Sequence, residues 1–516
     1  MNKNLKSLCV IASTILLGAC HHQESKRPNI LFVMADDHTS QAWGIYGGVL
    51  KDYVHNPNIE RLANQGMVFD NCMCTNSICV PSRASIMTGT YSHVNQVYML
   101  RDRLDPERQN VAKLLRANGY QTALIGKWHL KSKPSGFDYF NVLHDQGRYW
   151  DPILKTTSNW EEGAKGGAVY SGFSTDVITD LTINWLKHRD QTKPFMMMCH
   201  FKATHEPFDY PERFKDLYKD QEIPYPSTLL DFDKDKSGRT YDGQQLENLA
   251  WRWEKASEAP DKWWCKYPGL PFTTEGLDSI EARKKVYQKL VKDFMRCGAA
   301  IDDNIGRLLD YLEDAGLAEN TIVVYTADQG YFLGEHGFFD KRMIAEESLH
   351  MPMVVRYPKE IKGGTRNKEL VLNIDFPAMF ADYAGVVKPD WMQGNSFRPL
   401  LRGEHPKSWR TSMYYRYWEH APIRPGHFGV RNDRYKLAFY YGVPMDADSD
   451  VARSAPQWEF YDLEKDPKEL HNVYHTPAYQ TQISIMKKEL IRLRKEVGDT
   501  DHSRPWIKEV VQEAAI

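Results

Sequence analysis

The sequence predicts an α/β fold: a central, mostly parallel sheet flanked by helices, followed by a smaller α+β unit at the C-terminus. Three observations carry this reading. The runs "PNILFVMADDHTS" (28–40) and "NTIVVYTADQGYFLGEHG" (320–337) are each short and nearly continuously apolar, and each stops abruptly at acidic or amide residues. Runs that are apolar on both faces suit parallel strands buried between helical layers. Between them, residues 281–314 keep apolar side chains at three- and four-residue spacing, so strand and helix alternate along the chain.

The elements follow in order. Residues 1–19 have a basic start and an apolar run from Leu8 to Leu17, and read as a signal peptide too short to span a bilayer. Leu17-Gly18-Ala19-Cys20 resembles a bacterial lipobox, which implies cleavage before Cys20, lipidation of its thiol and a short tether over 20–27; plain secretion with cleavage at the same place is the alternative. A catalytic unit is expected over 28–390. Within it, a helix at 109–118 precedes the strand of "GYQTALIGKWHL", and "KPFMMMCHFKATHEPF" and "MPMVVRYP" supply further strands. The insert 231–264 carries Trp251, Trp253, Trp263 and Trp264, a pattern of local packing or of a carbohydrate-stacking rim. Around 386–410 the chain turns rich in Pro, Gly and Arg, after which "HFGVRNDRYKLAFYY" and "WEFYDLEKDP" read as antiparallel strands and 477–497 as a helix. The smaller unit is therefore placed at 391–516.

Composition excludes several classes. A chain of 516 residues with a formal net charge of −2 and no long basic run has no electrostatic reason to bind nucleic acid, and the lipid anchor is its one expected tie to a membrane. Of eight cysteines, Cys9 leaves with the signal peptide and Cys20 carries lipid. Cys72, Cys74, Cys79, Cys199, Cys265 and Cys297 remain. With Cys79 reserved for chemistry the rest are odd in number, which argues against a complete disulfide framework.

The chemistry gathers at strand ends. In open parallel sheets ligands bind beyond the carboxyl ends of the strands, which is where Asp36, Asp37, Asp328 and Gln329 fall. Each alone could be a helix cap or turn former; together they offer only oxygen donors, which suit a hard cation such as Ca²⁺ or Mg²⁺. Lys127 and His129 in "GKWHL", Lys202 and His205 in "FKATH", Lys341 in "FFDKR" and Arg83 would add a site for a tetrahedral oxyanion with proton-transfer groups beside it.

The segment "CVPSRASIMTG" resembles the C-x-P-S-R signature of formylglycine-dependent sulfatases, in which the cysteine is oxidised to an aldehyde. "MADDH", "GKWHL", "KATHEPF", "TADQG", "GEHGFFDK" and "FYDLEKDPKEL" resemble further sulfatase segments, in the family's order and over nearly the whole mature chain. The resemblance implies an alkaline-phosphatase-like fold with a small C-terminal subdomain, and a Ca²⁺ held by Asp36, Asp37, Asp328, Gln329 and the modified Cys79. It places Arg83 and Lys127 against the formylglycine and Lys127 and Lys341 against the sulfate, with His205 protonating the leaving oxygen and His129 taking the proton that releases sulfate. Gln329 departs from the Asn or His found in many members but still offers an amide oxygen.

The implied partners are a sulfated oligosaccharide and a formylglycine-generating maturation enzyme, and the implied location is the bacterial periplasm or cell surface. The wider pattern is most similar to N-acetylglucosamine-6-O-sulfatases acting on glycosaminoglycans; iduronate 2-sulfate or N-acetylgalactosamine 6-sulfate is the alternative substrate. A phosphatase or phosphodiesterase on the same fold and a silent glycan-binding protein are the other classes. For sugar recognition the candidates are Lys202 and, from "YYRYWEHAPIRPGHFGV", Arg416, Trp418, Glu419 and His427.

Overall fold

The computed structural model describes residues 27–231, 244–259 and 266–514. The signal peptide, Cys20, Cys265, Trp263 and Trp264 lie outside the described residues. Ten strands form the central sheet, in the order Thr365–Asn367, Met67–Phe69, Met353–Arg356, Thr321–Ala327, Asn29–Asp36, Phe195–Thr204, Gln121–Gly126, Tyr139–Leu143, Ile153–Thr156, Ala168–Val169. The five strands from Thr321–Ala327 to Tyr139–Leu143 run parallel.

The first strand shows why both faces had to be apolar. Ile30, Phe32 and Met34 enter one core with Val80 and Ala84 of the helix Cys79–Thr88 and Phe376 and Phe380 of the helix Phe376–Tyr383. Leu31, Val33 and Ala35 enter the other, with Ile178 of Ser174–His188 and Ile301 and Ile305 of Ser279–Asp314. Side chains alternate across a strand, so a strand covered by helices on both sides has no polar position to spare.

The predicted helices are present. Val111–Ala117 starts at Asn110, whose side chain accepts from the Lys113 amide at 3.0 Å. Ser279–Asp314 starts at Asp278, which accepts from the Ile280 and Glu281 amides. The apolar run of "MPMVVRYP" is a strand, Met353–Arg356, but it lies antiparallel to Thr321–Ala327. The only helical pieces in the connection back from residue 327 are a 3-10 turn, Glu335–Gly337, and one α-helical turn, Glu346–Leu349, and it lacks the long crossover helix that usually returns a chain in parallel.

The C-terminal unit is a four-stranded antiparallel sheet, Ser412–Tyr417, His427–Asn432, Tyr435–Tyr440, Gln457–Asp462, packed by the helix Gln480–Val497. Trp253 is buried, whereas Trp251 on the same helix, Leu246–Glu258, is 60% exposed. Cys72, Cys74, Cys79, Cys199 and Cys297 are free and buried. Among the described residues no helix is long and apolar enough to cross a membrane.

Candidate active site

Register brings the acidic residues together. Ala35 pairs with Ala327 in the parallel ladder, so Asp36 and Asp328 are the next residue on each strand and leave the sheet side by side. The Asp37 amide, turned by a φ of 67°, donates to Asp328 Oδ1 at 3.2 Å. Carboxylate oxygens of Asp36, Asp37 and Asp328 all lie within 4.8 Å of one another, and all three residues are buried. Gln329 joins them, its Nε2 donating to Asp37 Oδ1 at 2.5 Å.

Three cations face these carboxylates. Arg83, one turn into the helix that Cys79 opens, donates from Nε to Asp328 Oδ2 at 2.8 Å and from Nη1 to the Lys127 carbonyl at 2.9 Å. Lys127 donates to Asp36 and to Gln146 Oε1, and Lys341 to Asp37 Oδ2 at 2.6 Å. Burial alone would raise all three carboxyls. The charges of Lys127, His205, Arg83 and Lys341 instead hold Asp36 well below its ordinary value, while burial and the Asp36 charge push Asp328 up to about 7 despite Arg83.

The donor set fits a hard divalent cation. Asp36 Oδ1 and Gln329 Oε1 are buried oxygens with no hydrogen-bond donor among the described residues, a state that costs roughly 1–3 kcal/mol each unless something accepts their lone pairs. Three carboxylates and an amide oxygen could hold the divalent metal that the resemblance implies.

Cys79 begins the helix Cys79–Thr88 and is 1% exposed, beside Lys127 and Lys341. Burial pushes its thiol up to about 11 even against those two lysines, so at neutral pH the unmodified residue is a protonated, weak nucleophile. His129 is buried and held near 4 by desolvation and by the Lys127 charge, with Asp145 acting the other way. His205 is half-buried, its Nδ1 2.8 Å from the Glu206 carbonyl, and its value is far below the ordinary one because of desolvation. Lys202 lies over the Tyr149 ring at 4.8 Å; burial and the Lys127 charge bring it down to about 8.

The structure therefore brings together Asp36, Asp37, Cys79, Arg83, Lys127, His129, Lys202, His205, Asp328, Gln329 and Lys341. It does not bring Arg416 and Trp418 there, and this corrects the expectation that they contact sugar. Arg416 is 2% exposed; its guanidinium pairs with Asp499 and Asp501, each at 2.8 Å, and lies 3.5 Å from the centre of the buried Trp418 ring. Both side chains are interior packing, with the Trp418 ring also meeting that of Tyr98 in the larger unit at 4.8 Å between centres. Arg416→Ala is expected to cost about 3–5 kcal/mol of stability by leaving buried carboxylates uncompensated, seen as a lower urea midpoint, with KM unchanged in the folded protein. Glu419 accepts from the Tyr417 hydroxyl at 3.0 Å. His427 is 2% exposed, its Nε2 accepting from the Ile344 amide at 3.1 Å and its Nδ1 lying 2.8 Å from the Pro425 carbonyl, so both ring nitrogens are engaged inside the protein, which corrects the expectation that it contacts sugar.

Asp145 and Gln146 went unread in the sequence although both touch the site. The signal was present: "FNVLHDQG" is again an apolar run ending in polar residues.

An oxygen-lined cation site and a ring of buried cations at the carboxyl edge of a parallel sheet define an enzyme that handles esters of tetrahedral oxyanions. The chain belongs to the sulfatase family: the Sulfatase model matches residues 28–386, and the model for the C-terminal region of N-sulphoglucosamine sulphohydrolase matches 334–496. It is a sulfuric ester hydrolase. An N-acetylglucosamine-6-O-sulfatase of Bacteroides thetaiotaomicron is 38% identical over 541 residues, covering 97% of this chain and 93% of that protein. The human N-acetylglucosamine-6-sulfatase is 25% identical over 419 residues, covering 76% and 68%. Among solved structures, BT4656 in complex with its substrate D-glucosamine-2-N,6-O-disulfate superposes with a TM-score of 0.82 at 35% identity, covering 93% of this chain and all of that one.

Proposed function

We propose that this enzyme removes the 6-O-sulfate from a non-reducing-end N-acetylglucosamine of a glycosaminoglycan fragment, using a formylglycine made from Cys79 and a single Ca²⁺. The observation that carries the reading is the pairing of a buried oxyanion site with 38% identity, over 97% of the chain, to an N-acetylglucosamine-6-O-sulfatase. Asp36, Asp37, Asp328, Gln329 and residue 79 would hold the metal, which supplies positive charge against the sulfate. Formylglycine, once hydrated, supplies a hydroxyl nucleophile that the protonated thiol of Cys79 does not.

The chain's own groups do the rest. Arg83 and Lys127, whose charges act on Cys79, are the groups assigned to residue 79. Lys127 and Lys341 lean on Asp36 and Asp37 in this structure, and with those carboxylates engaged by a cation they are free to take sulfate oxygens. His205 protonates the departing sugar oxygen; burial and the nearby lysines favour its neutral form, and a bound sulfate anion acts in the opposite direction. His129 is buried and neutral, as a proton acceptor must be. Lys202 and Glu419 remain the candidates for the sugar. Residues 28–390 form the catalytic unit and 391–516 the smaller one; the leading segment supports export to the periplasm or cell surface with lipid on Cys20, and a maturation enzyme converts Cys79.

The test is epimer choice. The matured enzyme should cleave 6-sulfated N-acetylglucosamine faster than 6-sulfated N-acetylgalactosamine by at least about tenfold, the effect of ~1.4 kcal/mol from a hydroxyl or its partner left unpaired. Equal rates on the two, or sulfate release from internal sugars of long chains, would refute the sugar assignment.

A further inference from the structure

Two neighbouring residues of one turn reach two different members of the catalytic set. The strand Tyr139–Leu143 lies parallel to Gln121–Gly126 with Val142 beside Gly126, so residues 127–129 and 144–147 emerge together at the sheet edge. There the chain reverses, the Gly147 amide donating to the His144 carbonyl at 2.9 Å with Asp145 and Gly147 at φ 49° and 73°. Asp145 Oδ1 lies 3.4 Å from His129 Nε2, and Gln146 Oε1 lies 2.5 Å from Lys127 Nζ. The other ring nitrogen, His129 Nδ1, is buried and has no hydrogen-bond partner among the described residues.

These facts bear on which nitrogen of His129 carries the proton. A carboxylate can only accept, so a neutral imidazole facing one places its proton on the facing nitrogen, here Nε2. Nδ1 is then a bare lone pair in a buried place, which is costly unless a donor arrives there. His129 has a positive φ of 57°, so its backbone is also held in a conformation that side chains other than glycine seldom adopt.

The geometry points to Asp145 as a positioning residue that fixes His129 in the Nε2–H tautomer, making Nδ1 the atom that accepts the proton in turnover, while Gln146 on the same turn orients the Lys127 ammonium. The inference rests on the proposed role of His129 as proton acceptor. When Nδ1 takes a proton from the reacting hydroxyl, the imidazolium that results faces the Asp145 carboxylate, which stabilises the new charge. The same turn thus sets the direction of a proton acceptor and of an anion-binding lysine.

The variant that separates tautomer from packing is Asp145→Asn, equal in size but able to donate to Nε2 and so to permit the Nδ1–H form. In the matured, calcium-loaded enzyme it is expected to lower kcat about 10- to 100-fold with KM little changed, and Asp145→Glu is expected to recover part of the loss. In protein labelled with ¹⁵N-histidine, the His129 signal, assigned by its loss in His129→Gln, should report Nε2–H in the wild type and a shift toward Nδ1–H in Asp145→Asn. Unchanged kcat in Asp145→Asn, or a wild-type His129 already protonated at Nδ1, overturns the inference. Turnover is followed on a small aryl sulfate as well as on the 6-sulfated sugar, so a wild type active on the former alone refutes the sugar assignment and leaves this test standing.

Discussion

Cys79→Ala protein is expected to release no sulfate while still binding the sulfated sugar. Cys79 is 1% exposed at the start of the helix Cys79–Thr88, and alanine fits wherever cysteine did, so the fold and the cations around the site remain. What disappears is the side chain from which the proposed formylglycine nucleophile would be made. Loss of a nucleophile from an enzyme that depends on it costs on the order of 10⁶ in kcat, so turnover should fall below detection while equilibrium binding, measured by calorimetry, persists. The companion measurement is peptide mass spectrometry of wild-type protein from a host that carries the maturation machinery. The peptide containing residue 79 should show an aldehyde in place of the thiol. Fully active protein with an intact Cys79 thiol would end the formylglycine reading.

Asp328→Asn should abolish calcium binding and reduce activity by about 10³ or more, the equivalent of the several kcal/mol a metal contributes to a charged transition state. Asparagine is chosen over alanine because Asp328 also accepts from Arg83 Nε at 2.8 Å, and an alanine would strand a buried guanidinium. The reading needs two measurements. Metal content is expected to fall from one calcium per chain in the wild type to none, and the rise in unfolding temperature on adding calcium, expected of a wild type whose folded state binds the ion, should vanish. Chelation of the wild type followed by calcium should restore activity. Full activity in metal-free protein, or a requirement that only zinc meets, would refute the assignment.

Much of the architecture could be read before folding was considered, because its determinants are local. An apolar run that ends in "ADD" or "ADQ" reports a strand buried on both faces and the polar edge where it stops, and both outcomes depend on residues within a few positions of one another. The long helix Ser279–Asp314 could be read from its own spacing. The signature beginning at Cys79 is likewise contiguous. The strand Met353–Arg356 was legible as a strand but not in its direction, since direction depends on how the chain returns to the sheet.

What only the tertiary structure decided is who faces whom. Nothing in "YYRYWEH" says that Arg416 turns inward, because the carboxylate that holds it, Asp499, lies 83 residues further on. Nothing in "FNVLHDQG" says that Asp145 meets His129, because that depends on two strands ending at the same level. Apolar burial is close to additive along the chain and leaves a periodic trace, whereas an ion pair or a tautomer is set by one partner at a few ångströms, and sequence separation carries no information about that distance. The sequence by itself determined the sheet, the oxygen donors at its edge and the signature that begins at Cys79; the ladder register and the loop contacts decided which charges are paired inside and which face the site.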